Sequence, residues 1–196
     1  MRPLDVYLAS ASPRRRELLS QTGLRFRVLK VNVEESCRAR ESPGACARRL
    51  AVAKARAAAA LSERRGLAPR PIVAADTLVA VRGRVLGKPA SRAEGLRMLR
   101  SLSGRTHEVW TALAVYHSGR MYTALCRSLV SFDRLTAAEL RRYWDSGEPA
   151  DKAGAYAIQG LAAAFVRRLE GSYHGVVGLP LRELRALLRK TGVDWL

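Results

Sequence analysis

The sequence predicts a mixed α/β fold, a twisted sheet of parallel and antiparallel strands flanked by helices. Three observations carry that reading. Strand-like and helix-like stretches alternate along the chain, as they do where crossovers build a sheet. Two hairpin signals, Arg82-Gly83 and Ser118-Gly119, place antiparallel pairs among those crossovers, so the sheet is not strictly doubly wound. Neither G-x-G-x-x-G nor G-x-x-x-x-G-K-[ST] occurs, which leaves Rossmann and P-loop chemistry without support. No repeat or low-complexity linker divides the chain, so residues 1–196 are expected to form one domain, with size enough for two lobes.

Each element has a local reason. Leu4–Ala9 is a short apolar run, hence a first strand. Ser12 can cap a helix from Pro13 to Thr22, with proline where no N–H is needed and Gly23 as the stop. Arg25–Val31 alternates as a second strand, and the Ala/Arg-rich stretch from Ala45 to Arg65 is a long helix ended at Gly66. Pro71–Thr77 is continuously apolar up to Asp76 and reads as a buried central strand, followed by a hairpin of Leu78–Val81 and Arg84–Leu86. Ser91-Arg92-Ala93-Glu94 and Thr136-Ala137-Ala138-Glu139 are capping-box patterns, opening helices to Leu102 and Ser146. Between them lie two long strands, Thr106–His117 and Arg120–Phe132. Ala163–Leu169 and Gly175–Val177 read as further strands, and Pro180–Thr191 as a closing helix.

Composition sets the boundaries. At 196 residues and 48% hydrophobic, the chain can bury a sizeable core. No apolar run approaches the roughly 20 residues of a membrane span, and the N-terminal layout is not that of a signal peptide. Cys37, Cys46 and Cys126 show no CxxC spacing, so neither a disulfide framework nor a zinc site is expected. A cytoplasmic, reducing setting follows. The net charge of +18 would draw anions inward. Its arginines are spread along the chain and aromatics are only 6%, so base-stacking interleaving is missing and a nucleic-acid partner is not expected.

Four constellations could carry chemistry. Ser10-Ala11-Ser12-Pro13-Arg14-Arg15-Arg16 brings hydroxyls, backbone N–H groups and three arginines to one helix N-terminus. Cations oppose the dipole there, so the placement makes sense if an anion, such as a triphosphate, is bound. Asp76, followed by Thr77, reads as a carboxylate at a strand's end, suited to Mg²⁺ or to orienting water. Lys88, fixed between Gly87 and Pro89, suits a phosphate. Lys54 stands among helical alanines and carries the weaker signal of the two. Asp151–Gly160 is a small-residue loop in which Gln159 offers both donor and acceptor to a base edge. Glu34-Glu35 could add a metal-binding carboxylate.

In order through nearly the whole chain, LASASPRRRELL, RLAVAKA, AADTLVAVRGRVLGKP, LSGRTHEVWTALAV, DKAGAYAIQG and GSYHGVVGLPL resemble the Maf family of nucleoside triphosphate pyrophosphatases. Because DKAGAYAIQG carries Ala-Tyr and Gln159, the chain is similar to the branch acting on dTTP and UTP. The resemblance implies an ITPase-like, bilobed fold with a central cleft. It also implies cleavage between the α- and β-phosphates with a divalent cation, Mg²⁺ or Mn²⁺. Asp76 matches the proton acceptor. Arg14, Thr77 and Gln159 match positions of substrate selection, and Glu35, Lys54 and Lys88 match positions for metal and phosphate. Ser10, Ser12 and Arg15 are expected beside the phosphates, with Arg16 in solvent. Family context adds nucleotide-pool sanitation or division arrest as a role, and leaves a homodimer open.

Overall fold

The computed structural model describes residues 4–196. Its sheet has seven strands: β1 (Val6–Leu8), β2 (Phe26–Val28), β3 (Ile72–Val81), β4 (Arg84–Leu86), β5 (Thr106–His117), β6 (Arg120–Phe132) and β7 (Val166–Glu170). The order is β2-β1-β3-β5-β6-β7, with β4 beside β3. The pairs of β1 with β2 and β3 are parallel and all others antiparallel, as the mixed fold class requires. Both hairpin turns hold two residues at positive φ, Arg82 (50°) with Gly83 (73°) and Ser118 (47°) with Gly119 (75°). That left-handed pair matches the natural twist of the strands it joins.

Each face of the sheet has its own core. On one, Leu50, Ala51, Ala55 and Ala58 of α2 (Pro43–Arg64) lie on Ile72, Ala74 and Leu78 of β3 and Ala112 and Ala114 of β5. Alanine against alanine lets the helix lie close, so polar side chains on its inner stripe reach the sheet. On the other face, leucines dominate. They come from α1 (Pro13–Ser20), α3 (Arg92–Leu102) and α6 (Leu181–Arg189) and meet Val73, Val79, Leu113, Val115 and Phe132. Each fully buried leucine contributes about 1.5–3 kcal/mol. α4 (Ala137–Asp145) carries the complete capping box expected at Thr136 and Glu139.

Several expectations need correction. The stretch read as a strand ending near Asp76, with a hairpin arm after it, is one continuous strand, β3, so Asp76 lies mid-strand. Pairing with β5 runs unbroken from Ile72 to Ala80 and carries the chain past the carboxylate. Gly175–Val177 is not a strand but part of a short helix, α5 (Tyr173–Val177). The Ser172 side chain caps it at the Gly175 N–H, which overrides the β-branched pair Val176-Val177. A 3₁₀ segment, Leu161–Phe165, occupies the start of the stretch from Ala163, and β7 begins only at Val166. Cys37 and Cys46, expected as free thiols, are joined in a disulfide. The chain before α2 folds back on the first turn of that helix and brings their Cα atoms to 5.4 Å, a contact that a separation of nine residues does not announce. Cys126 is free. Among the described residues no helix is long and apolar enough to cross a membrane.

Candidate active site

The site follows from how β3 is shared. Its first residues pair with β1 (Tyr7 opposite Ile72, Leu8 opposite Val73), and its last three pair with β4. Between these neighbours, Ala74 to Leu78 pair only with β5, so one edge of the strand is left open in the middle of the sheet. Asp76 and Thr77 are adjacent there and, by strand alternation, point to opposite faces. Both nevertheless line one cavity of about 370 Å³, because that cavity wraps around the open edge. All ten residues singled out from the sequence border it: Ser10, Ser12, Arg14, Arg15, Glu35, Lys54, Asp76, Thr77, Lys88 and Gln159.

The first wall is the turn from β1 into α1. Ser12 stands at the cap position, but its side chain makes no capping bond and its hydroxyl has no partner among the described residues; instead its N–H donates to Ser10 Oγ at 3.1 Å. Arg16 is exposed, as expected. Arg15 is not loose. Its Nε donates to the Gly178 carbonyl at 2.8 Å and Nη2 to Thr77 Oγ1 at 3.0 Å, with Nη1 at 3.5 Å from Ser10 Oγ. Burial lowers its pKa, while Asp76 and Glu35 act in the opposite sense; a guanidinium stays charged regardless. Gly178 sits at φ +125°, a backbone conformation that favours glycine whatever the space around it.

Thr77 belongs to a chain whose proton direction is fixed. Thr111 Oγ1 donates its single proton to the Gly175 carbonyl at 2.7 Å. It must therefore accept from Thr77 at 2.9 Å, and Thr77 in turn accepts from Arg15. Thr77 thus has no donor left to offer a ligand and acts by holding Arg15.

On the α2 face, Lys54 is the centre. Buried among alanines, its Nζ lies 2.6 Å from Asp76 Oδ1 and 2.5 Å from Glu35 Oε1. Its signal in the sequence is weak, since only the packing of α2 on β3 reveals its partners. Burial would raise the Glu35 pKa, but the hydrogen bond from Lys54 and the charges of Lys54 and Lys88 outweigh it, leaving Glu35 below the usual range and ionised. Asp76 is 6% exposed, and its other oxygen has no hydrogen-bond partner among the described residues.

The opposite wall is the stretch after α4, with two short 3₁₀ turns, Glu148–Asp151 and Ala153–Ala155, then Tyr156, Ala157, Ile158 and Gln159. Gln159 is exposed at the cavity rim and makes no side-chain hydrogen bond among the described residues. Asp151, which the sequence did not single out, lines the cavity beside it, paired with Lys152. Behind this wall His107 is 1% exposed, its Nε2 2.8 Å from the Tyr156 hydroxyl and its Nδ1 without a partner among the described residues. Burial pulls the imidazole down to about 4.

Known proteins resemble this chain along nearly its whole length. The family model for Maf-like protein matches residues 5–191. A dTTP/UTP pyrophosphatase of Bordetella parapertussis is 53% identical over 195 residues, covering 97% of this chain and 94% of that protein. One from Cupriavidus pinatubonensis is 50% identical over 191 residues (94% and 96%), and one from Saccharophagus degradans is 50% identical over 186 (94% and 87%). Among solved structures, the Ham1 protein of Staphylococcus aureus gives a TM-score of 0.51 over 95% of this chain and 99% of that one. At 14% identity, that is a likeness of fold. With the motifs gathered around one open strand edge and relatives this similar along nearly the full chain, the protein belongs to the Maf family.

Proposed function

We propose that the protein hydrolyses dTTP and UTP between the α- and β-phosphates, releasing the nucleoside monophosphate and pyrophosphate. The observation that carries this reading is the meeting of all ten motif residues around one cavity, four of them cationic and one, Gln159, an amide. Relatives about 50% identical over almost the whole chain bear that activity in their names.

The division of labour follows from the geometry. Ser10, Ser12 and the N–H groups at the start of α1 cradle phosphate oxygens, while Arg14, Arg15 and Lys88 neutralise the charge gathering on the departing pyrophosphate. Fixed charges of this kind stabilise the transition state without reorganising as the reaction proceeds. Lys54 holds one oxygen of Asp76, and the other receives a hydrogen bond from the attacking water, orienting it and taking its proton. Asp76 and Glu35 carry two negative charges against one ammonium, each with an oxygen that Lys54 does not bind. That hard, net-negative oxygen set fits Mg²⁺ or Mn²⁺. When bound, the cation supplies charge neutralisation on the phosphates and acidifies water. Gln159 reads the imide edge of thymine or uracil, where one acceptor and one donor are required together.

Incubation with a panel of triphosphates and Mg²⁺ or Mn²⁺ tests the proposal. One pyrophosphate per turnover from dTTP and UTP is expected. Orthophosphate as sole product, or salt-sensitive nucleic-acid binding without turnover, overturns it.

A further inference from the structure

The side chain of Gln159 has no tether of its own, so its aim depends on the backbone that carries it. Two residues from outside the cavity hold that backbone. Glu148 is half-buried and has no cationic partner among the described residues. Its Oε2 accepts the Leu161 N–H at 2.8 Å, and its Oε1 accepts the Ala162 N–H at 3.4 Å and the Tyr143 hydroxyl at 2.7 Å. Having given its proton to Glu148, the Tyr143 hydroxyl accepts the Ala157 N–H at 3.2 Å. One carboxylate–phenol pair therefore grips amides on both sides of Gln159, at 157 before it and at 161 and 162 after it.

The chemistry of the clamp is specific. All three groups facing Glu148 are donors, so the position needs two acceptor oxygens and no donor, which a carboxylate supplies and an amide does not. Hydrogen bonds to an ionised acceptor are roughly twice as strong as neutral ones. Gly160 completes the fit, since a Cβ there would lie 2.0 Å from Glu148 Oε2. Burial and the bond to Glu148 both raise the Tyr143 pKa, so the phenol stays protonated and keeps donating.

We infer that Glu148, with Tyr143, is a positioning residue for substrate choice, holding the 157–162 backbone so that Gln159 meets the pyrimidine edge at hydrogen-bonding distance. The inference rests on Gln159 as the base reader. Neither residue touches the phosphate wall, so disturbing the clamp should change which nucleotide is taken more than how fast a bound one is cleaved.

The test is Glu148→Gln, which keeps the shape but turns a donor toward donors, with Tyr143→Phe beside it. Both are compared with wild type on dTTP and dCTP. For Glu148→Gln the expected result is about a tenfold rise in KM for dTTP and about a tenfold loss of the dTTP-to-dCTP ratio in kcat/KM, with kcat within threefold. Tyr143→Phe, which leaves the Leu161 bond intact, should show a smaller change in the same direction. Should Glu148→Gln fail to fold, by circular dichroism and melting, Tyr143→Phe carries the test. An unchanged ratio in a folded variant, or a loss confined to kcat, overturns the inference. If wild type itself does not hydrolyse dTTP, the proposed function has failed instead. Amide hydrogen exchange then still decides on the clamp, since protection must fall at Leu161 and Ala162 in folded Glu148→Gln and at Ala157 in folded Tyr143→Phe, and unchanged protection refutes it.

Discussion

The two walls of the cavity are built by opposite means. The phosphate wall draws on side chains fixed by ion pairs and by bonds between residues far apart in sequence, such as Arg15 to Gly178 and Lys54 to Asp76. The base wall draws on an irregular backbone of small residues, held from behind by Glu148 and Tyr143. Charge that must be neutralised calls for fixed side-chain charges, and a flat base edge calls for a backbone set at the right distance. On the proposed roles, the comparison separates rate from choice of substrate, each lodged in its own part of the molecule.

If so, damage to the first wall should lower turnover without reordering substrates. Asp76→Asn is expected to fold and to lose at least a hundredfold in kcat, in the range of about 3–4 kcal/mol for one preorganised group, with dTTP and UTP still preferred. Near-normal kcat would break the assignment. Lys54→Met leaves two carboxylates facing each other without their ammonium and should cost about 3 kcal/mol of stability, measured by urea unfolding. Adding Asp76→Asn to it should restore part of that loss, because the unpaired buried charge is gone. On the second wall, Gln159→Glu should change the ranking of dTTP against other nucleotides, with little effect on the kcat of the best substrate. An unaltered ranking would merge the two walls into one.

At mildly acid pH the effect is smaller. His107 titrates near 4 in the folded protein and near 6.5 when unfolded. Between those values the unfolded chain binds the extra proton, so stability declines as pH falls from about 6.5 and levels off below about 4. The full decline amounts to roughly 3 kcal/mol, and only part of it is reached at pH 5.5. Wild type and His107→Leu, compared by denaturation at pH 7 and pH 4.5, should differ in slope. Equal slopes would show that the base wall carries no acid-sensitive support.

What was legible in the sequence was local. Ser12 and Pro13 announce a helix start by adjacency alone, and the two hairpin turns are readable from their own residues. Lys54 was singled out, but its partners Asp76 and Glu35 were not legible, because an alanine-rich helix says which face packs but not against which strand. Glu148 follows Ser146-Gly147 and looks like a solvated turn residue until Leu161 and Ala162 are folded onto it. Asp76 lines the cavity but lies mid-strand and not at a strand's end, because pairing with β1 stops at Val73 and pairing with β4 covers only Val79 to Val81.

The bond from Arg15 to the Gly178 carbonyl spans 163 positions of sequence. An arginine made among the first residues therefore has its anchor only after almost the whole chain has been synthesised. Contacts this distant close slowly, because the loop entropy must be met before the contact contributes. During refolding, the return of catalytic rate should lag the return of helix signal, and early nascent chains would carry the phosphate-binding motif in full while remaining inactive. The enzyme's own turnover is thus a reporter of complete folding.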